Sequence, residues 1–134
     1  MRITDLLESK IPNIKEIIQE VLPLISNELD LDQLPKIKLV NQVKDTKQPT
    51  FGKYENGEAF IQVAIANRHP VDILRTLAHE MTHYKQDLQK KLGKDSGETG
   101  SPTENQAHEV AGIIMRHIDK KYPNFLKLDN VEVK

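Results

Sequence analysis

From Asp72 to Leu92 the chain places apolar residues at helical spacing. With successive residues 100° apart, Leu77, Ala78, Met81, Leu88 and Leu92 gather within roughly 60° of Leu74, and Lys85 is the polar intruder on that stripe. The pattern predicts a helix over 70–92 that buries one face. Upstream, Ile3 to Leu29 repeats apolar residues at intervals of three and four, which reads as a helical N-terminal part over 1–34. Pro12 and Pro23 are expected to break it into pieces.

Between these helical stretches the period changes to two. Pro35 to Val43 alternates apolar residues with lysines and reads as a strand. Thr50 to Glu55 and Glu58 to Ala66 flank Asn56-Gly57, the strongest two-residue hairpin signal. In the second arm Ile61, Val63 and Ile65 share one face. Asn67-Arg68-His69-Pro70 turns the chain into the helix, with Pro70 near its first position and His69 as a loop residue at the entry. Gly93 to Gly100 has linker composition. Ser101-Pro102 then opens a second helix that runs to Tyr122, and a short apolar piece from Phe125 to Leu128 precedes a polar tail. The expected fold is one α+β domain: a helical N-terminal part, a small and mostly antiparallel sheet of about three strands over 35–67, and two helices over 70–92 and 101–122.

Composition narrows the functional classes. The chain has 134 residues, 29% of them charged, with a net charge of −1. Nucleic-acid and anionic-membrane binders favour a clear basic excess, so neither partner is expected. There is no cysteine, which removes disulfides and thiolate metal sites. The first 18 residues carry charges among their apolar positions and read as neither a signal peptide nor a membrane span. A cytoplasmic protein is expected.

The chemistry concentrates on the 70–92 helix. His79-Glu80-Met81-Thr82-His83 is an H-E-x-x-H motif. Residues four apart lie one turn above each other, so two imidazoles can converge on one metal ion with Glu80 beside them as general base. His79, Glu80, His83 and Thr76 fall roughly opposite the leucine stripe, on the face left for a cleft. Catalytic zinc commonly takes three protein ligands and a water. Gln89 occupies the position six residues beyond His83 where another zinc-protease pattern would have a ligand. On the second helix Glu104 shares a stripe with Ala107, Ala111, Met115, Ile118 and Tyr122, and a carboxylate on a buried stripe calls for a partner. Ser101 and Glu104 also fit an S-x-x-E capping box, which needs no metal. His108, about 40° from Glu104, competes as third ligand, whereas Glu109 lies about 140° away, off the stripe.

H-E-x-x-H, a loop, and then E-x-x-A-x-x-x-A over Glu104 to Ala111 resembles the gluzincin clan of zinc metallopeptidases, in particular its minimal, ImmA/IrrE-like and phage-encoded members. The likeness covers about Thr50 to Tyr122. It implies a zincin-like fold, Zn2+ held by His79, His83 and Glu104, Glu80 as catalytic base, and a protein or peptide substrate in the cytoplasm, the host's if phage-encoded. It departs at His108, where the clan often has Asp or Asn orienting a ligand histidine. SprT-like proteases share the first motif but lean on basic DNA-binding surfaces. Tyr54, Tyr84, Tyr122, His108 and His117 are the available candidates for an oxyanion-binding group; Tyr84, nearer the apolar side, is the least favoured, and His108 and Tyr54 are carried forward as supporting or oxyanion-binding candidates. The second hairpin arm, Glu58 to Ala66, is expected to be an exposed edge that cradles substrate, with Ala64 and Asn67 against its backbone, as the clan's edge strand would. The alternative to an endopeptidase is a zinc-containing protein that binds a partner or builds a virion or other assembly with little or no hydrolysis.

Overall fold

The computed structural model describes residues 14–43, 50–55, 57–89 and 102–122. Within them the chain is α+β, with three helices and a small mixed sheet. Helix α1 (Ile14–Leu29) comes first, followed by strands β1 (Lys36–Val40), β2 (Gly52–Glu55) and β3 (Phe60–Ala64). Helices α2 (Pro70–Leu88) and α3 (Pro102–Lys121) complete the order. No helix among these residues is long and apolar enough to cross a membrane.

Helix α1 runs through Pro23 without a break, contrary to expectation. Pro23, and Gln19 whose carbonyl its missing N–H cannot serve, are both exposed, on the solvated side of the helix. The opposite face buries Ile14, Ile17, Ile18, Val21, Ile25 and Leu29. Burial of that face outweighs the single lost backbone bond. The segment before residue 14, including Pro12, lies outside the described residues, as does the piece from Phe125 to Leu128.

The sheet departs from the expected layout in three ways. It is mixed, with β1 parallel to β3 and β2 antiparallel to it. Its order is β1-β3-β2, so β3 is the central strand, and the expectation that Glu58 to Ala66 forms an exposed edge is wrong. Alternation alone reports which face of a strand is buried; it says nothing about which neighbours pair with it. The hairpin loop is also longer than two residues, because Glu55 pairs with Phe60. Gly57 lies in this loop at φ 79°, a left-handed conformation open to glycine, and Ala59 takes φ 50°.

One core joins all the elements. Ile61 and Val63 of β3, Ile73, Leu74, Leu77 and Met81 of α2, and Ile114 and Ile118 of α3 pack around the buried face of α1. Leu88, at the end of the α2 stripe, is 56% exposed, so the apolar face closes one turn earlier than its spacing suggested. Leu92 and the 93–100 linker lie outside the described residues.

Candidate metal centre

Helix α2 begins at His69, whose Nδ1 accepts a hydrogen bond from the Val71 N–H, with Pro70 in the first turn. His69 is therefore engaged as an N-cap. Three turns later, His79 and His83 meet edge to face along the cleft, with ring centroids 4.8 Å apart. Helix α3 lies alongside and brings Glu104 between them. Its Oε1 is 2.7 Å from His79 Nε2 and its Oε2 is 3.0 Å from His83 Nε2. Donor atoms of the three residues all lie within 4.8 Å of one another, which makes a possible metal site.

The hydrogen bonds behind His83 explain why this trio suits a cation. Gln86, 1% exposed, donates its amide N–H groups to the Thr103 carbonyl at 2.9 Å and to Gln106 Oε1 at 2.8 Å. Its own Oε1 is thereby aimed at His83 Nδ1, 2.8 Å away, and accepts that N–H. In a neutral ring Nε2 then carries a lone pair, and it points at a carboxylate oxygen. Two lone pairs facing each other repel, and a cation between them, whether a proton or a metal ion, removes the conflict. Gln86 escaped the sequence reading. It lies three residues beyond His83 on the same helix face, and that spacing was the available signal.

Glu80 is 8% exposed and sits against β2. A Cβ on Gly52 would come within 2.5 Å of Thr76 Cγ2 and 3.0 Å of Glu80 Cγ, so only glycine lets the strand approach this closely. Burial, with the Glu104 charge behind it, pushes the Glu80 carboxyl up to about 8, and a hydrogen bond from the Tyr54 backbone N–H pulls the other way. Burial also lowers His79 to about 4, opposed by Glu104.

These shifts act on the metal-free protein in opposite directions. Glu80 rises from an ordinary value of 4.5, so its contribution is full below about pH 4.5 and is lost as pH climbs towards 8. His79 falls from 6.5, so its contribution is lost as pH drops from 6.5 towards 4. Metal-free protein should therefore melt at its highest temperature in mildly acidic buffer. Glu80→Gln should flatten the alkaline arm and let the acid arm run from pH 6.5 down towards 4, because the Glu80 contribution no longer offsets it between pH 4.5 and 6.5. Thermal melts of both proteins in chelator across pH 4–9 check this, and an alkaline arm unchanged in the variant would contradict it.

The remaining residues singled out from sequence divide clearly. His108 is largely exposed, with Nε2 3.4 Å from Glu104 Oε1 and its ring centroid 4.5 Å from that of His79, so it stands at the rim of the trio. Glu109 is exposed and outside the trio. The Tyr54 hydroxyl donates to Asp87, which also accepts the Gly57 N–H at 2.7 Å, so the tyrosine ties the hairpin to α2. Burial first and then Asp87 raise its pKa well above the usual range. Tyr84 is buried, with its hydroxyl on the Gln33 carbonyl. Ala64, expected to receive substrate, is 3% exposed; its N–H bonds Phe51 O at 2.8 Å and its carbonyl accepts from Arg68. Asn67, at φ 57°, does line the cleft. Ser101 lies outside the described residues.

The trio opens into a cleft of ≈ 980 Å³ bounded by β2, the β3–α2 turn and the exposed faces of α2 and α3. The chain matches no protein-family model, no curated protein and no solved structure.

Proposed function

We propose that the protein is a zinc-dependent endopeptidase of zincin-like fold, with His79, His83 and Glu104 as metal ligands and Glu80 as general base. The observation that carries this reading is the placement of a buried carboxyl, Glu80, on α2 beside His79 and His83, where Glu104 of α3 converges on both imidazoles, in an open cleft. Two imidazoles and a carboxylate are a common ligand set for catalytic zinc, which supplies a Lewis acid and a water whose pKa falls to about 7. A structural metal needs no base beside it, which disfavours a purely architectural role.

Glu80 takes the proton of the attacking water and later passes it to the leaving amine. A dication at the trio would lower its raised pKa into the range where it works as a base at neutral pH. His108, at the rim, is the side chain best placed to donate to the oxygen of the reacting carbonyl. The substrate edge moves from β3 to β2. The bond from Ala64 N–H to Phe51 O marks Phe51 and Ala64 as a hydrogen-bonded pair, so Gly52 and Tyr54 turn their backbone groups to the open side. There the Tyr54 N–H meets Glu80, and the Gly52 N–H and Tyr54 C=O face the cleft side where an extended peptide would lie.

Zinc-loaded protein should cut denatured casein, 1,10-phenanthroline should stop the cutting, and added zinc should restore it. Fully loaded protein that leaves casein and a random peptide library intact would reject the reading.

A further inference from the structure

One cation in the cleft has no role in the chemistry above. Arg68, in the turn between β3 and α2, reaches across the first turns of the helix. Its Nη1 donates to the Ala64 carbonyl at 2.8 Å, and its Nη2 donates to the Asp72 carbonyl at 3.0 Å and to Thr76 Oγ1 at 2.7 Å. All three acceptors are neutral. Arginine has five N–H donors, so two have no acceptor among the described residues. The acid nearest in sequence, Asp72, forms its ion pair with Arg75 at 3.5 Å. Lys53, the other cleft-lining cation besides Arg75, is paired with Glu55 at 3.1 Å.

The guanidinium is also half removed from water. The ring of Phe51, on the strand side of the cleft, lies 4.3 Å from Cζ, and burial lowers the arginine's pKa. Phe51 itself is 62% exposed. The result is a fork with one plane covered by an aromatic ring and three donors anchored to backbone and Thr76, on a residue that lines the cleft. A charge fixed in this way, partly desolvated and with no carboxylate in salt-bridge contact among the described residues, although the Asp72 charge acts on it from farther off, binds a planar anion better than a solvated lysine would. Thr76 precedes Glu80 by one helical turn, about 5–6 Å along the axis. The charge thus stands within about two residues of a bound peptide's scissile bond, given about 3.3 Å per extended residue.

We propose that Arg68, stacked on Phe51, is a specificity-determining residue that binds a substrate carboxylate close to the cleaved bond. This makes the substrate an acidic peptide or one cut next to its free C-terminus. The inference rests on the peptidase reading of the same cleft.

Matched synthetic peptides test it. One series exchanges Asp or Glu for Asn or Gln at each of the two positions on either side of the bond cut. A second compares a free C-terminal carboxylate with the amide. With zinc-loaded wild type, one carboxylate-bearing member should exceed its neutral twin by about 10- to 100-fold in kcat/KM, chiefly through KM. The series in which the difference appears identifies the source of the carboxylate. In Arg68→Gln the ratio should fall to about one. Arg68→Lys, which keeps the charge and stands in if the glutamine variant fails to fold, should retain part of the preference.

Equal rates for both twins with wild type overturn the inference and leave the peptidase reading intact. A uniform loss on all peptides in Arg68→Gln, with the ratio unchanged, also overturns it and reduces Arg68 to a structural prop. Equilibrium binding of the same pairs to zinc-loaded Glu80→Gln separates the two claims. If wild type cuts nothing but carboxylate peptides bind preferentially and lose that preference on Arg68→Gln, the peptidase reading falls and the subsite stands. If nothing binds, both fall.

Discussion

Glu80→Gln should take up zinc as fully as the parent chain and lose about 10²–10⁴-fold in kcat/KM, with little change in KM. The substitution keeps the shape of the side chain, so the close packing against Gly52 and Thr76 survives. What it removes is the ability to accept a proton. Glutamine also cannot ionise, so the metal-free variant escapes the penalty of a buried carboxylate whose pKa lies near 8. The variant should therefore be at least as stable as the wild type at pH 8 while being inactive, and loss of activity cannot then be blamed on unfolding. Steady-state kinetics beside metal analysis and a thermal melt on one preparation decide it. Retained hydrolysis would remove Glu80 from the reaction.

The second large effect concerns the ligands. His79→Ala with His83→Ala should abolish stoichiometric zinc binding, since two of three donors disappear. Glu104→Ala should weaken zinc affinity by more than the roughly 10–100-fold typical of a supporting residue, and Glu109→Ala should leave it unchanged. The contrast is geometric. Glu104 bridges both imidazoles at 2.7 and 3.0 Å, while Glu109, five residues on, is exposed on α3. Competition against a chromophoric chelator measures the wild type, these three variants and His108→Ala. If His108→Ala abolishes binding and Glu104→Ala does not, the histidine is the third ligand and Glu104 only orients it.

Much of the site was legible because a helix converts spacing into direction. His79, Glu80 and His83 had to share a face, and the stripe containing Ala107, Ala111, Met115 and Ile118 had to carry Glu104 inward; those four apolar residues are indeed buried. The groups that escaped notice depend on contacts distant in sequence. Strand order is set by which edges meet, so the alternation in Glu58 to Ala66 could not reveal that β1 pairs with β3 and displaces β2 to the margin. Gly52 looked like any strand residue until α2 was laid against it. Gln86 gains its meaning from the Thr103 carbonyl and Gln106 on another helix. Pro23 was overruled by the apolar residues around it, whose burial holds α1 together.

The junction of Gly52 with Glu80 has a consequence for how preparations of this protein are judged. The proposed donors all come from α2 and α3, whereas Glu80 is enclosed by β2, with the Tyr54 N–H on its carboxylate and Asp87 pinning the hairpin. On the proposed reading, a molecule whose hairpin has lifted from α2 would keep every donor and so would keep a bound metal. Its Glu80 would be open to water and the proposed substrate edge displaced. Metal stoichiometry would then count packed helix pairs, and the number of competent molecules would have to be obtained by titration with a tight-binding inhibitor that requires the strand as well.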